Sequence, residues 1–224
     1  MTLTNTITIT DTSTEPVRKP FQGFRKVYHV LASSMFPLAY LYPPLHLTFP
    51  ETRKWILIIS GTCFAGSFLL DLARLMDKKF NSWFMGLFAF LIRKTEVDKF
   101  NGSTFLCLAF FVVVLLFPRT VAITAMFFLS LGDAAAELGG KNFGRLRIFE
   151  RSLEGSIAFF TVAFGVAFAL FGDLKIAVLG AIAGALVELF SFDVDDNLTV
   201  PIGSALALTL VLVLLHPGVN FPTF

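Results

Sequence analysis

The residues best suited to chemistry in this sequence lie within Ser130–Ser156, in the run SLGDAAAELGGKNFGRLRIFERSLEGS. Asp133 and Glu137 are four residues apart, so on a helix both carboxylates project from one face, one turn from each other. Such a pair suits a magnesium-type ion, because hard cations are bound by oxygen ligands and also contact substrate phosphates. The alternative is that the two acids form salt bridges to Arg145 or Arg147 at the end of the helix.

A basic, glycine-rich block follows these two acids. Glycine lets backbone N–H groups approach an anion closely, and Lys and Arg supply positive charge. The block therefore suits a phosphate-bearing ligand, although an ordinary positively charged cytoplasmic loop has the same composition. It contains neither the GxxxxGK[ST] motif of P-loop proteins nor the GxGxxG motif of a dinucleotide fold. Its residues are Gly139, Gly140, Lys141, Gly144, Arg145, Arg147 and Arg151.

Three further polar or small residues, Ser152, Glu154 and Gly155, stand where the next apolar block begins. Ser152 is a candidate N-cap, because a serine hydroxyl at that position accepts a hydrogen bond from a free backbone N–H. Anion binding at the same helix N-terminus is compatible with this capping role.

A second acidic cluster contains Asp193, Asp195, Asp196 and Asn197 but no Lys or Arg. Three acids so close together repel one another unless they meet a basic loop or a metal ion. We therefore predict that Asp195 and Asp196 are metal ligands, and a solvated acidic turn is the alternative.

Two groups nearer the start of the chain are candidates for substrate binding. Arg25, Lys26 and His29 share a helix face by their spacing, although a basic flank beside a membrane explains them equally well. Asp71 and Arg74 are three residues apart at the end of an apolar block, where they could also simply neutralise each other.

The elements that must position these groups are apolar blocks. The chain has 224 residues, of which 55% are hydrophobic and 15% are charged. About 20 apolar residues are enough for a helix to span a bilayer. The blocks predict an all-α, polytopic integral membrane protein with seven transmembrane helices, at Val27–Leu47, Trp55–Leu75, Phe100–Phe117, Thr120–Leu138, Ser156–Phe171, Ile176–Phe190 and Leu198–Leu215.

The apolar block Phe80–Ile92 is too short to cross and is bracketed by charged residues, which predicts an interfacial or re-entrant helix. An eighth span is the alternative. Residues 1–24 are expected to form a flexible polar tail, 25–217 a single transmembrane domain that carries the chemistry, and 218–224 a short C-terminal tail.

Positive charge is distributed unevenly around these spans. With a cytoplasmic N-terminus, most of the 18 Lys and Arg residues fall in cytoplasmic segments, as the positive-inside rule requires. The polar clusters then share the cytoplasmic face, which we predict to be the side of the active site. A net charge of only +2 argues against a nucleic-acid partner. No pattern in the sequence indicates an oligomer.

Six motifs, in this order and spacing, resemble one family. They are R-K-x-x-H at 25–29, D-x-x-R at 71–74, G-D-A-A-A at 132–136, G-K-x-F-G-R at 140–145, S-L-E-G-S at 152–156 and D-D-N-L-T-V-P at 195–201. Together they resemble the CTP-dependent lipid-alcohol kinases, which include dolichol kinase, phytol kinase and yeast-type diacylglycerol kinase. The resemblance extends from residue 25 to about residue 215.

This resemblance implies transfer of a phosphoryl group from CTP to the hydroxyl of a membrane lipid alcohol, with Mg²⁺ or another divalent cation. Polyprenol, a phytol-like alcohol and diacylglycerol all remain open as acceptors. Where the family often has Lys before S-L-E-G, this chain has Arg151. Arg keeps the positive charge but presents a planar, forked guanidinium instead of a compact ammonium group. The resemblance implies a nucleotide site formed by Asp133, Lys141, Arg145, Ser152, Glu154 and Gly155, with Asp195, Asp196 and Asn197 on a facing loop. Together with the charge pattern, this predicts catalytic roles for Asp133, Asp196 and Lys141, nucleotide binding by Lys141, Arg145, Arg147, Arg151, Ser152, Glu154, Gly155 and Asn197, and metal binding by Asp133, Glu137, Asp195 and Asp196.

Two other functions fit parts of the sequence. Phosphatidate cytidylyltransferases resemble it locally, with an Asp on a helix, a Gly-Arg-containing loop and a run ending in Glu-Gly, but the chain lacks the long Lys- and Asp-rich ending of that family. A membrane transporter is the non-enzymatic alternative. Transporters place their charges near the middle of the membrane, whereas these charges cluster at one edge.

Overall fold

A computed structural model of the chain describes residues 23–43, 47–88, 92, 96–148, 151–191 and 194–217. Residues 1–22 of the predicted tail 1–24, the predicted tail 218–224 and the acidic residue Asp193 lie outside the described residues. The elements, in chain order, are α1 (Gly23–Leu41), α2 (Phe49–Met76), α3 (Lys78–Phe88), α4 (Gly102–Leu116), α5 (Arg119–Phe127), a π-helical segment (Phe128–Asp133), α6 (Ala134–Phe143), β1 (Arg147–Ile148), β2 (Arg151–Ser152), α7 (Leu153–Phe171), α8 (Leu174–Leu189) and α9 (Asp196–Leu215).

Within the described residues, four helical runs are long and apolar enough to cross a membrane. They are Phe49–Met76, Arg119–Phe143, Leu153–Phe171 and Asp196–Leu215, and α4 is apolar but shorter. These runs support the predicted helical membrane protein. The number of seven spans stays a prediction.

Several helix boundaries differ from the predictions. α2 begins at Phe49 instead of Trp55, because Thr48 and Glu51 form a capping box at its start. α1 ends at Leu41, six residues before the predicted end, because Pro43 follows and disfavours helical geometry in the residue before it. α3 has 11 residues, a length of about 16 Å at the α-helical rise. That is short of a hydrocarbon core about 30 Å thick, so α3 by itself does not cross it.

The core forms around the helical run that contains α5 and the π-helical segment. Every residue from 121 to 130 is buried, and α5 packs against α1, α4, α7 and α9. Two glycines of α8 allow close approach, since a Cβ on Gly184 would lie 2.8 Å from the Phe128 ring and one on Gly180 would lie 2.4 Å from Leu208. Their four-residue spacing is the pattern of small residues that lets helices approach closely.

The helix ends fall into two groups, which we call the cavity end and the far end. The starts of α1, α4, α7 and α9 and the end of α8 contribute residues to two neighbouring cavities at the cavity end. At the far end, Arg119 at the start of α5 binds the end of α1, and Arg53 near the start of α2 binds the end of α4. The residues predicted to do chemistry therefore gather at one end of the bundle.

Candidate functional site

Asp133 is the last residue of the π-helical segment, and Glu137 lies one turn later on α6. A π-helical turn is wider than an α-helical turn and occurs frequently at functional sites. Both acids line both cavities at the cavity end. The predicted pair of carboxylates on one helix face therefore stands at the boundary between two cavities.

One of these, the polar cavity, has a volume of about 460 Å³. It lies between α6, the hairpin formed by β1 and β2, and the facing ends of α8 and α9. It is lined by acids, bases and small residues: Asp133, Ala136, Glu137, Gly140, Lys141, Gly144, Arg147, Arg151, Ser152, Gly155, Glu188 and Asp196.

Arg151 joins two of these acids as a fork. One terminal nitrogen lies 2.6 Å from Oε1 of Glu188, and the other hydrogen-bonds to Oδ1 of Asp196. Ser156 donates to the second oxygen of Glu188 at 3.1 Å. Burial alone would lower the pKa of Arg151, but the nearby charges of Asp196, Glu188 and Asp133 outweigh burial and raise it. Arg151 therefore stays cationic among three carboxylates.

Glu137 is held by two lysines. Lys26 Nζ lies 2.6 Å and Lys141 Nζ 2.5 Å from the same oxygen, Oε1. The sequence suggested Arg145 or Arg147 as its salt-bridge partners, but Lys141 one turn along α6 takes that place. Lys26 joins it because α1 packs against the π-helical segment just before α6. Two ammonium groups on one carboxylate leave a surplus of positive charge, which favours an additional anion.

Close packing accounts for the glycines of this region. A Cβ on Gly140 would lie 2.8 Å from Ser152 Oγ, and a Cβ on Gly155 would lie 2.8 Å from the carbonyl oxygen of Ala136. Ser152 accepts a hydrogen bond from Gly155 N at 3.0 Å, which confirms its predicted N-cap role on α7. The glycines thus let α6 and the start of α7 approach each other beside the polar cavity.

Two of the predicted nucleotide-binding residues, Glu154 and Arg145, line neither cavity, and a third, Asn197, lines only the second cavity. Glu154 accepts a hydrogen bond from Leu146 N at 3.2 Å and so ties the hairpin to the first turn of α7. Arg145 is exposed and, like Glu154, is not among the described residues that line either cavity. Nucleotide binding by these two residues stays a prediction.

The acids fit a metal ion that arrives with phosphate better than a preformed metal centre. Among the described residues, no group of three or more His, Cys, Asp or Glu side chains is placed to hold an ion. Asp195 caps α9 by accepting from Asn197 N at 2.9 Å. Magnesium, however, commonly uses only one or two carboxylates together with substrate phosphates. Asp133 and Asp196, which both line the polar cavity, fit that requirement.

The second cavity, which we call the adjoining cavity, has a volume of about 560 Å³. Its walls come from α1, α3, the start of α4, α6 and the start of α9. Its apolar lining includes Val27, Leu31, Phe84, Phe88 and Ile92, and its polar lining includes Lys26, His29, Glu96, Asn101, Ser103, Asp133, Glu137 and Asn197. Lys26, His29 and Asn197 thus face this cavity, and the side chain of Arg25 lies outside what the structure describes.

Asp71 and Arg74 form a buried ion pair, with Arg74 Nε 2.7 Å from Asp71 Oδ1. Their residues are 2% and 0% exposed, and neither is among the residues that line the two cavities. The mutual neutralisation expected from their spacing is confirmed. Direct contact with a substrate stays a prediction.

The roles of Glu188 and Asn101 were not assigned from the sequence. Glu188 is 1% exposed in α8 and binds both Arg151 and Ser156. An acid inside an apolar block is a functional candidate by default, and that signal was present. No such signal marked Asn101 in the sequence. In the structure it caps α4 by accepting a hydrogen bond from Ser103 N.

Known proteins give an independent comparison. The chain is 26% identical over 201 residues to an uncharacterized protein of Rickettsia prowazekii, covering 85% of this chain and 94% of that protein. It is 29% identical over 217 residues to CTP-dependent diacylglycerol kinase 1 of Saccharomyces cerevisiae, covering 84% of this chain and 72% of that protein.

A protein with the same name from Eremothecium gossypii is 30% identical over 168 residues, covering 62% of this chain and 53% of that protein. No family model and no solved structure matches the chain. The order of the six motifs and the names of the kinase relatives point to the same family. These relatives support membership of the CTP-dependent lipid kinase family.

Proposed function

We propose that this protein transfers a phosphoryl group from CTP to the hydroxyl of a membrane lipid alcohol. The observation that carries the proposal is the pair of adjoining cavities, one rich in Lys, Arg and acids and the other largely apolar, which share Asp133 and Glu137. The relatives named CTP-dependent diacylglycerol kinase support the choice of CTP as donor.

Phosphoryl transfer depends mainly on positioning and on neutralising phosphate charge. Lys141, Arg147 and Arg151 line the polar cavity, and Lys26 reaches its edge through Glu137. A triphosphate entering the cavity would displace the Glu137 carboxylate and bind the ammonium groups of Lys26 and Lys141. Because Arg151 is already neutralised by two carboxylates, we assign it to orienting Asp196 and Glu188 as well as to binding phosphate.

A divalent cation bound together with CTP would neutralise phosphate charge, and Asp133 and Asp196 are the residues that would hold it. Asp133 also lines the adjoining cavity, whereas Asp196 lines only the polar cavity among the described residues. We therefore assign acceptance of the hydroxyl proton to Asp133 in preference to Asp196.

For the acceptor we propose diacylglycerol. The adjoining cavity carries amide and hydroxyl side chains, from Asn101, Ser103 and Asn197, beside its apolar walls. The ester carbonyls of diacylglycerol can accept hydrogen bonds from such groups, whereas a prenyl alcohol offers only its hydroxyl.

We further propose that the chain has seven spans and that the cavity end is cytoplasmic, because of the distribution of Lys and Arg.

The test is phosphorylation of diacylglycerol in detergent micelles with γ-labelled CTP. Asp133→Asn is expected to lower turnover by roughly 10²–10³-fold, the effect of removing one preorganised electrostatic contact. Asp173→Asn at the far end is the matched control, because Asn replaces Asp well as the N-cap of α8. Undiminished activity in Asp133→Asn would contradict the assigned role.

The same assay separates the alternative chemistry. A kinase releases CDP, whereas a phosphatidate cytidylyltransferase releases pyrophosphate and incorporates the cytidylyl group into lipid. Pyrophosphate as the product, or no nucleotide consumption with any lipid alcohol, would overturn the proposal.

A further inference from the structure

The segment 96–103 forms part of the wall of the adjoining cavity. Arg74 holds this segment by its backbone, donating to the carbonyl oxygens of Val97 at 2.9 Å and Glu96 at 3.1 Å and also to that of Lys99. Asn81 of α3 donates to the same carbonyl of Val97 at 3.0 Å. One buried guanidinium therefore sets the path of several consecutive residues.

Asp71 holds the other end of the segment. Its Oδ2 accepts from Asn101 N at 2.8 Å and from Thr104 Oγ1 at 2.7 Å, while Oδ1 binds Arg74. The ion pair thus connects the end of α2 to the start of α4. A buried ion pair adds little net stability by itself, so its many bonds to one segment point to a positioning role.

The segment presents polar groups to the adjoining cavity, namely Glu96, Asn101 and Ser103. Gly102 brings it close to the start of α9, since a Cβ there would lie 2.7 Å from Asn197 Nδ2 and 3.3 Å from Glu96 Oε1. These polar groups stand on the same cavity as Asp133. A hydroxyl bound among them would lie beside the proposed phosphoryl-transfer group.

The opposite walls are apolar and open at the protein surface. Leu31 of α1 is 64% exposed and lines the cavity. Phe84 and Phe88 of α3 pack with ring centroids 4.8 Å apart and line it from the other side. A cavity with a polar inner wall and an apolar mouth matches an alcohol headgroup attached to hydrocarbon chains.

We propose that the adjoining cavity is the binding site of the lipid acceptor and that the buried pair Asp71 and Arg74 positions its polar wall. This assignment rests on the proposed function. The competing occupant is the cytosine base of CTP, which needs hydrogen-bonding partners around a flat ring and gains nothing from an apolar mouth that opens at the surface.

The experiment compares two tryptophan variants one helical turn apart on α1. Leu31→Trp narrows the mouth of the cavity, and Met35→Trp is its matched control, because Met35 is 68% exposed and is not among the residues that line the cavity. We expect Leu31→Trp to raise the KM for diacylglycerol about tenfold or more, the scale of a steric mismatch in an apolar pocket. Its KM for CTP, and both constants of Met35→Trp, should equal those of the wild type.

A second variant tests the positioning role without removing a buried charge. Asn81→Leu removes the bond to Val97 and the bond that Arg74 donates to Asn81 Oδ1 at 3.4 Å, but leaves the Asp71–Arg74 pair intact. We expect a rise of about two- to tenfold in the KM for diacylglycerol, since a net hydrogen bond contributes about 0.5–1.5 kcal/mol. The KM for CTP should not change.

The outcomes separate this inference from the proposed function. If the wild type does not phosphorylate any lipid alcohol with CTP, the proposed function fails. If the wild type is active but Leu31→Trp raises the KM for CTP, or leaves both KM values unchanged, the acceptor site is wrongly assigned. If Asn81→Leu alters the KM for CTP instead of that for lipid, or leaves both unchanged, the positioning role is wrong.

Discussion

Arginine side chains tie helices together at both ends of the bundle, but with different partners. At the far end, Arg119 donates to the carbonyl oxygens of Tyr40 and Leu41 and stacks over the Phe49 ring at 3.6 Å. At the cavity end, Arg151 binds the carboxylates of Glu188 and Asp196. The far-end arginine thus binds neutral acceptors and Arg151 binds charges, while Arg74 at the cavity end binds both a carboxylate and backbone carbonyls.

This difference is why, among the described residues, we place the proposed phosphate chemistry at the cavity end. A carbonyl at a helix end satisfies an arginine without adding a negative charge, and the bond serves only to fix the helix. A carboxylate in a cavity can release its cationic partner to an incoming phosphate, or it can bind an incoming metal ion in place of that partner. The far end is therefore expected to contribute stability alone, and the cavity end both stability and activity.

The largest effect is expected from Arg74→Leu. It leaves the buried Asp71 without its cation, which costs roughly 3–5 kcal/mol, and it releases the backbone of the segment 96–99. Thermal unfolding in detergent should show a strongly destabilised or unfolded protein. Adding Asp71→Leu to the same chain should restore part of the stability, because the unpaired charge is removed. Wild-type stability of Arg74→Leu would show that the pair is dispensable.

A smaller effect, on turnover, is expected from Arg151→Gln. Loss of the guanidinium leaves Glu188 and Asp196 without a cation and removes a phosphate contact, so turnover should fall by roughly 10²–10³-fold. Arg151→Lys keeps the charge but loses the fork that spans both acids, and it should retain clearly more activity. Equal loss in the two variants would show that fork geometry, not charge, governs the site.

The smallest effect is expected from Arg119→Gln at the far end. It removes bonds to two carbonyl oxygens and should lower the free energy of unfolding by about 1–2 kcal/mol. The KM values for CTP and diacylglycerol, measured at a temperature where the variant is folded, should match the wild type. A change in either constant would contradict the separation between the two ends.

The positions of the helices were predictable because each apolar block is about as long as a span. Most helix boundaries were predicted within a few residues, and the largest differences are at the end of α1, which is Leu41 instead of Leu47, and at the start of α2, which is Phe49 instead of Trp55. The first follows from a proline, whose local effect can be recognised in the sequence. The gathering of Asp133, Lys141, Arg151 and Asp196 around one cavity was also predictable, since alternating spans bring alternate loops to the same side.

The pairings within the site were not predictable. Arg151 and Glu188 are 37 residues apart, and their contact depends on how α7 packs against α8. Lys26 and Glu137 meet because α1 packs against the π-helical segment that precedes α6. The hairpin of β1 and β2 was missed for another reason: its strands have two residues each, too few to show a strand period.

The π-helical segment Phe128–Asp133 also bears on how this gene can vary. Such a segment absorbs one extra residue without turning the helix that follows it. Loss of one codon within it would convert the run to regular α-helix and leave α5 and α6 aligned. The same loss within α5 would rotate everything beyond it by about 100° and turn Glu137 away from both cavities. Length variants of active proteins should therefore concentrate in this short stretch.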